Sequence, residues 1–332
     1  MKIVVFDVPA ESGGALTILK QYHERAIRDK ENTWIFVIST PNLNETENVK
    51  VLKFPWVKKS WFHRLYFDKY VAHKIVVKYN ADEVLSLQNV IVQNVKVKQT
   101  LYLHQPLPFI EKRYSITKNF KFWLYQNVIN IIIFRSIRLA DKVVVQTQWM
   151  KNACLQKVNV SPSKFELIQP EIHMKINSHY KQENTHRKLF FYPASELKYK
   201  NHQVIVEAVK MLRDKNIKNY DIIFTLRGNE NRNVKKLYKI VEKYNLSIKF
   251  IGKISAKEVY EYYSKSILIF PSYIETFGLP MLEAKMHGSP ILASDCAFSH
   301  EILDEYEDVK FFDPFNSDQL AKLIESKVLI NE

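Results

Sequence analysis

Two cysteines in 332 residues, Cys154 and Cys296, leave no disulfide framework to build a fold on. They stand far apart, neither has metal-ligand spacing, and lone thiols suit a reducing, cytoplasmic compartment. No apolar run is long enough to cross a bilayer. The longest, VINIII closed by Phe134, falls well short, so membrane contact is expected to be peripheral. MKIVVFD has four apolar residues before Asp7 and no small-residue cleavage site, and it reads as a first strand rather than a leader. There is no G-x-G-x-x-G, no Walker lysine, no Asp-x-Asp pair and no readable Ser-His-Asp set. Dinucleotide, P-loop and serine-hydrolase chemistry are excluded on that ground, and neither a cofactor nor a metal is expected. Acids are scarce relative to bases: 35 Asp and Glu face 49 Lys and Arg, a net charge of +14. Such a surplus attracts nucleic acid, anionic lipid or nucleotide phosphates. A lysine-rich proteome would produce the same surplus on plain solvated surfaces, and both readings stand.

What is present is the composition of a globular protein, 46% hydrophobic and 25% charged, with length enough for two cores. Short apolar runs alternate with helical patterns. The first series is Ile3–Phe6, Trp34–Ile38, Val84–Leu87, Thr100–His104 and Val143–Gln146. The second is Leu189–Tyr192, Ile222–Leu226, Ile248–Ile251, Ile267–Phe270, Ile291–Ala293 and Val309–Phe312. Near-continuous apolar strands between helices predict parallel sheets covered on both faces. The chain is therefore expected to be α/β, with a doubly wound domain over 1–172, a polar linker over 173–187 and a second doubly wound domain over 188–332. Ligands of such sheets bind beyond the carboxyl ends of the strands. If the domains face a central cleft, the loops around Gly13, His104, Lys200, Arg227, Ile254 and Glu275 converge on it.

One stretch, SYIETFGLPMLEA at 272–284, carries more chemistry than the rest. Pro280 fits a helix's first turn, where its missing N–H costs nothing. Gly278 lets backbone approach a ligand. The amides of Phe277, Gly278 and Leu279 then become donors at a helix N-terminus, suited to anions and sugar hydroxyls. Glu283, about one turn beyond Pro280, can accept from a vicinal diol such as ribose, and Glu275 from another polyol. An ordinary acidic helix N-terminus would look similar.

These residues, followed by HGSPILASD and Glu301, resemble the donor site of GT-B glycosyltransferases of family four. The likeness extends to KIVVFD…SGGA, YLHQ, ADKVVVQTQWMK, YKNH and FIGKIS. It implies a two-domain GT-B fold and a retaining transferase that uses a nucleotide-activated hexose. By the same resemblance Glu283 holds the donor ribose, and Glu275, Phe277, Gly278 and Leu279 hold the sugar. Lys200 neutralises the diphosphate, Ile254 of the FIGKIS loop lines the donor site, and Gly13 and Gly14 allow close approach of phosphate or acceptor. His104 hydrogen-bonds the sugar near the reacting carbon. His104, Lys200 and Glu275 are the catalytic candidates. The family carries an Arg six residues before the Lys; here that position is Ala194, and Arg227 is the candidate substitute.

The resemblance further implies a glycan or polyprenyl-linked saccharide as acceptor, in bacterial lipopolysaccharide or capsule assembly at the inner face of the cell membrane. FPWVKKSWFHRLYFDKYVAHK at 54–74 and KNFKFWLYQ at 118–126 interleave aromatics with bases. Their bases suit an anionic membrane surface and most of their rings are expected in the core. No motif supports nucleic acid as a partner. The other reading is a non-catalytic accessory subunit whose donor site has degenerated at Ala194.

Overall fold

The computed structural model describes residues 1–117, 119–171, 176, 178–181 and 187–329. The chain divides into two compact units, Met1–Glu171 and Ile172–Glu332. Of the expected linker, 173–187, all but residues 176, 178–181 and 187 lies outside the described residues.

The first unit holds a parallel sheet of β1 (Lys2–Asp7), β2 (Thr33–Ile38), β3 (Val49–Lys53), β4 (Glu83–Ser86), β5 (Lys98–Tyr102), β6 (Lys142–Val145) and β7 (Phe165–Leu167). Their order is β3-β2-β1-β4-β5-β6-β7. Alternate residues of β1 enter different cores. Ile3 and Val5 pack with Ile18, Leu19 and Ala26 of the helix Gly13–Arg28. Val4 and Phe6 pack with Val57, Phe67 and Ile75 on the opposite face. Burial on both faces is why the run IVVF carries no polar residue.

Two strands escaped sequence reading, and both are sheet edges. β3 reads VKVLK and fully buries only Val49; β7 is three residues long and fully buries only Phe165. An edge strand needs only one ladder and half a core face, so its apolar signal is diluted. A second difference concerns β5. It ends at Tyr102, so His104 lies two residues beyond the strand rather than at its last position, although the Leu103 amide still donates to Val144 at 2.9 Å.

The second unit holds β8 (Lys188–Tyr192), β9 (Tyr220–Phe224), β10 (Ile248–Phe250), β11 (Ile267–Phe270), β12 (Ile291–Ser294) and β13 (Val309–Phe312), all parallel. The order β10-β9-β8-β11-β12-β13 runs outward in one direction from β8 and in the other from β11. The two sheets thus each have a switch point, between β1 and β4 and between β8 and β11. Loops leaving the carboxyl ends of such a pair diverge to opposite faces and open a crevice for ligand.

Candidate functional site

At the β8–β11 switch point the two strand-end loops are tied together. After β8 the chain makes a single tight turn, Lys198–Lys200, and Asn201 adopts a left-handed φ of 60° before the helix His202–Asp214. The Asn201 side-chain amide donates to the Pro314 carbonyl at 2.6 Å and to that of Pro271 at 3.3 Å. The Tyr192 hydroxyl donates to the Lys200 carbonyl at 2.6 Å. From the β11 side, the Tyr273 amide donates to the Tyr199 carbonyl at 3.2 Å, and the Ser272 hydroxyl oxygen lies 3.3 Å from the same carbonyl. This lacing brings the Lys200 ammonium onto the Glu275 carboxylate, which also accepts from the Ser272 hydroxyl at 2.7 Å. Lys200 and Glu275 are only 17% and 14% exposed, and the Lys200 nitrogen lies 5.6 and 6.0 Å from the ring centres of Tyr199 and Phe270. Two charges held this far from water depend on one another strongly.

Gly278 makes the corner that follows. Its φ is +92°, and a Cβ built there would lie 2.6 Å from the Met281 terminal methyl, so only glycine fits without displacement. The helix Leu279–Met286 starts at once, with Pro280 in its first turn. Among the described residues none accepts from the amides of Phe277, Gly278 or Leu279, and three donors stand open at the helix N-terminus. The Phe277 ring is buried, so this residue offers its amide and not its side chain.

Glu283 lies one turn further on. The Tyr263 hydroxyl donates to its Oε2 at 3.0 Å, and His287 Nδ1 donates to its carbonyl at 2.8 Å. Burial raises the Glu283 pKa, and the Tyr263 hydrogen bond partly opposes the rise. No described residue bonds Oε1, which is left to accept from a ligand. Tyr263 is itself fully buried at the end of the helix Ala256–Tyr263, its carbonyl held by the Ser289 hydroxyl. Tyr263→Phe is therefore expected to keep the fold and weaken nucleotide binding by about 1–2 kcal/mol, since one bond to a charged acceptor is lost. Calorimetry on the folded variant checks this, and unchanged affinity would deny the hydroxyl an orienting role.

The other candidates of this unit make no bond to Lys200 or Glu275 among the described residues. Arg227 follows β9 with an exposed side chain that runs across Gly252, whose added Cβ would lie 3.2 Å from Arg227 Cγ. Among the described residues no carboxylate pairs with its guanidinium; its amide and that of Gly228 bind the Glu230 carboxylate. Ala194 is buried two residues past β8 and brings no charge to the site. Ile254 is half-buried, next to Ser255 of the Ser255–Glu258 capping box.

Three candidates stand in the first unit. Gly13 opens the helix Gly13–Arg28 at φ +62°, a conformation that favours glycine; Gly14 has an ordinary φ. A Cβ on either would meet nothing within 4 Å, so the space beside this helix start is open. The His104 amide donates to Asn89 Oδ1 at 2.8 Å, and its ring lies 5.9 Å from that of Tyr102. Its Nδ1 is buried without a partner among the described residues, and burial lowers its pKa to about 4. The imidazole is neutral at pH 7.

Sequence reasoning missed Tyr192, Ser272 and Tyr263. Ser272 had a local signal, three residues before Glu275 across a turn. The tyrosines had none, since each acts on a residue that only the sheet brings near.

Residues 175–332 match the family described as Glycosyl transferases group 1. Among curated proteins, the O-antigen chain mannosyltransferase RfbU of Salmonella typhimurium is 21% identical over 272 residues, covering 80% of this chain and 70% of that protein. Sucrose synthase of Solanum tuberosum is 28% identical over 103 residues, which is 29% of this chain but only 13% of the much longer relative. Among solved structures, HepE of Anabaena in complex with UDP and glucose superposes with a TM-score of 0.71 at 15% identity, covering 100% of this chain and 90% of its own. WaaG, a glycosyltransferase involved in lipopolysaccharide biosynthesis, superposes with a TM-score of 0.75 at 14% identity, covering 98% and 90%.

Proposed function

We propose that this chain, whose residues 175–332 match the glycosyl transferases group 1 family, is a retaining hexosyltransferase. It moves a hexose from a nucleotide-sugar to a glycan or lipid-linked saccharide in bacterial surface polysaccharide assembly, at the inner face of the cell membrane. The observation that carries this reading is the half-buried Lys200–Glu275 pair set beside three open amides and one open oxygen of Glu283. The Lys200 cation suits a diphosphate, Glu275 and the amides suit a sugar, and Glu283 suits a ribose. The names of RfbU and WaaG support the pathway, and the UDP and glucose bound by HepE support the donor class.

In this reading Lys200 shares its three N–H donors between Glu275 and the diphosphate. Glu275 and the amides of Phe277, Gly278 and Leu279 orient the hexose. Glu283 accepts from the ribose through Oε1. Neutral His104 hydrogen-bonds near the reacting carbon, Gly13 and Gly14 leave room for phosphate or acceptor, and Arg227 and Ile254 border the donor. The bond from C1 to the leaving phosphate oxygen breaks while the bond to the acceptor oxygen forms on the same face. The acceptor proton passes to the leaving phosphate. Charge growing on the diphosphate is met by preorganised donors.

The test is a thermal-shift screen with UDP-, GDP-, ADP- and dTDP-hexoses, followed by transfer assayed in EDTA and the anomeric configuration of the product by NMR. One donor is expected to raise Tm by mass action. Transfer is expected to persist in EDTA, because Lys200 and the amides supply the positive charge, and the product is expected to retain configuration. Absence of any shift would favour an accessory subunit with a site degenerate at Ala194. An inverted product, or activity lost to EDTA and restored by Mn²⁺, would overturn the mechanism.

A further inference from the structure

We propose that the helix Arg232–Tyr244 carries a second anion site, a surface cavity that takes a polyphosphate bearing a planar or apolar body, the class of free nucleoside di- and triphosphates. The proposal does not rest on the transferase reading.

The cavity holds about 350 Å³ and is lined by Gly228, Arg232, Lys235, Lys236, Tyr238 and Lys239. That volume lies in the range of small-molecule sites. Sequence spacing explains the lining. Arg232, Lys235, Lys236 and Lys239 recur at steps of three and four residues, so they share one face of the helix. The Tyr238 ring meets Phe250 edge to face, with ring centres 5.1 Å apart. It also lies against Gly228, whose φ is +93° and where an added Cβ would overlap the ring. The loop after β9 thus closes directly on Tyr238. The ring and the lysine stems supply carbon walls, while the charged ends of the four exposed bases stay in water at the mouth.

Charge shows what the cavity lacks. The helix has five bases and one acid, Glu242. Other helices of this unit pair their bases: Arg213 with Asp214, Lys257 with Glu261 and Lys322 with Asp318. Among the described residues, Arg232, Lys235, Lys236 and Lys239 have no ion pair. Glu230, just before the helix, is taken up by the amides of Arg227 and Gly228. Like charges at these steps repel. Arg232 also stands in a first turn that holds no acid, at the positive end of the helix dipole. A face arranged only for the stability of its own helix would mix the signs. A bound polyphosphate relieves both repulsions, since lysine serves phosphate as a point charge. Inorganic phosphate alone would leave the carbon walls unused; a planar or apolar body attached to it fills them. Among the described residues none of the lining groups bonds Lys200, Glu275 or Glu283, so loss of this site should leave donor binding intact.

The experiment measures ATP binding to the full chain by calorimetry at physiological ionic strength. ATP is expected to bind, pyrophosphate to displace it, and adenosine to bind far more weakly. Lys235→Gln with Lys236→Gln and Lys239→Gln keeps helix propensity and should weaken ATP by about tenfold or more, because three cations are lost. The same variant should keep the parental nucleotide-sugar thermal shift, and Glu283→Ala should keep the ATP affinity. No binding of ATP, or an affinity indifferent to the triple substitution, would overturn the proposal. Loss of ATP binding in Glu283→Ala would overturn it too, by placing ATP in the donor site. Displacement by sulfate as readily as by pyrophosphate would reduce the site to a counterion atmosphere, and capture of single-stranded RNA in preference to ATP would make the face a nucleic-acid surface instead. The nucleotide-sugar thermal shift on the same preparation separates the two readings. A shift without ATP binding sinks this site alone; ATP binding without a shift sinks the transferase alone.

Discussion

Removing the Lys200 ammonium is expected to lower kcat by about two to three orders of magnitude, the loss that follows when one preorganised donor to a developing oxyanion is deleted. Free nucleoside binding should change little, since the proposed ribose contact lies at Glu283. Lys200→Ala alone is a poor test of chemistry, because it strands Glu275 as an unpaired charge only 14% exposed. Breaking such a pair from one side costs roughly 3–5 kcal/mol of stability. Lys200→Met combined with Glu275→Gln removes both charges and keeps the volume, and its stability should lie near that of the parent. That double variant, folded by thermal denaturation and retaining more than a small fraction of parental kcat with saturating donor, would refute the role of the pair.

The second large effect belongs to Glu283. Glu283→Ala should weaken nucleotide binding by roughly 1.5–3 kcal/mol, the range for hydrogen bonds to a charged group, or about one to two orders of magnitude in Kd. The alanine also leaves the buried Tyr263 hydroxyl without the acceptor it reaches at 3.0 Å. Glu283→Gln keeps an acceptor for Tyr263 and isolates the contribution of charge. Because burial raises the Glu283 pKa, the carboxylate proposed to bind ribose takes up its proton above the ordinary glutamate range. Nucleotide affinity should fall on acidification at correspondingly higher pH, and Glu283→Gln should flatten that profile. The stability sign is opposite. A raised folded pKa means the native state binds more protons than the unfolded chain, so this group's contribution is lost as pH rises through the folded pKa. Calorimetric Kd across pH for parent and Glu283→Gln decides; identical affinities and profiles would remove Glu283 from the donor site.

Much of this was legible in residue order because the signals are local. Every strand of the second unit was readable, since β8 to β13 are short apolar runs spaced by helices and β11 is buried at all four positions. The Gly278–Pro280 corner was readable because φ freedom and a missing N–H are properties of single residues. β3 and β7 were not, because an edge strand shares the composition of a loop. The rings of Trp61, Phe62, Tyr66 and Tyr70, expected in the core, are exposed, for a related reason. An aromatic pattern at helical spacing has the same period whether it faces a core or the solvent, and only the position of the helix on the sheet tells which.

The sequence alone determined that the chain is parallel α/β, that a helix starts at the Gly278–Pro280 corner, and which residue types could serve a nucleotide-sugar. It did not determine who meets whom. Lys200 and Glu275 are 75 residues apart, and they pair because β8 and β11 are neighbours at a switch point. Tyr263 reaches Glu283 across 20 residues from the end of a different helix. Periodicity and turn chemistry act over a few residues and so survive in the one-dimensional record. Strand order is chosen by the packing of the whole sheet, and the contacts that tune the charges of this site exist only after that choice is made.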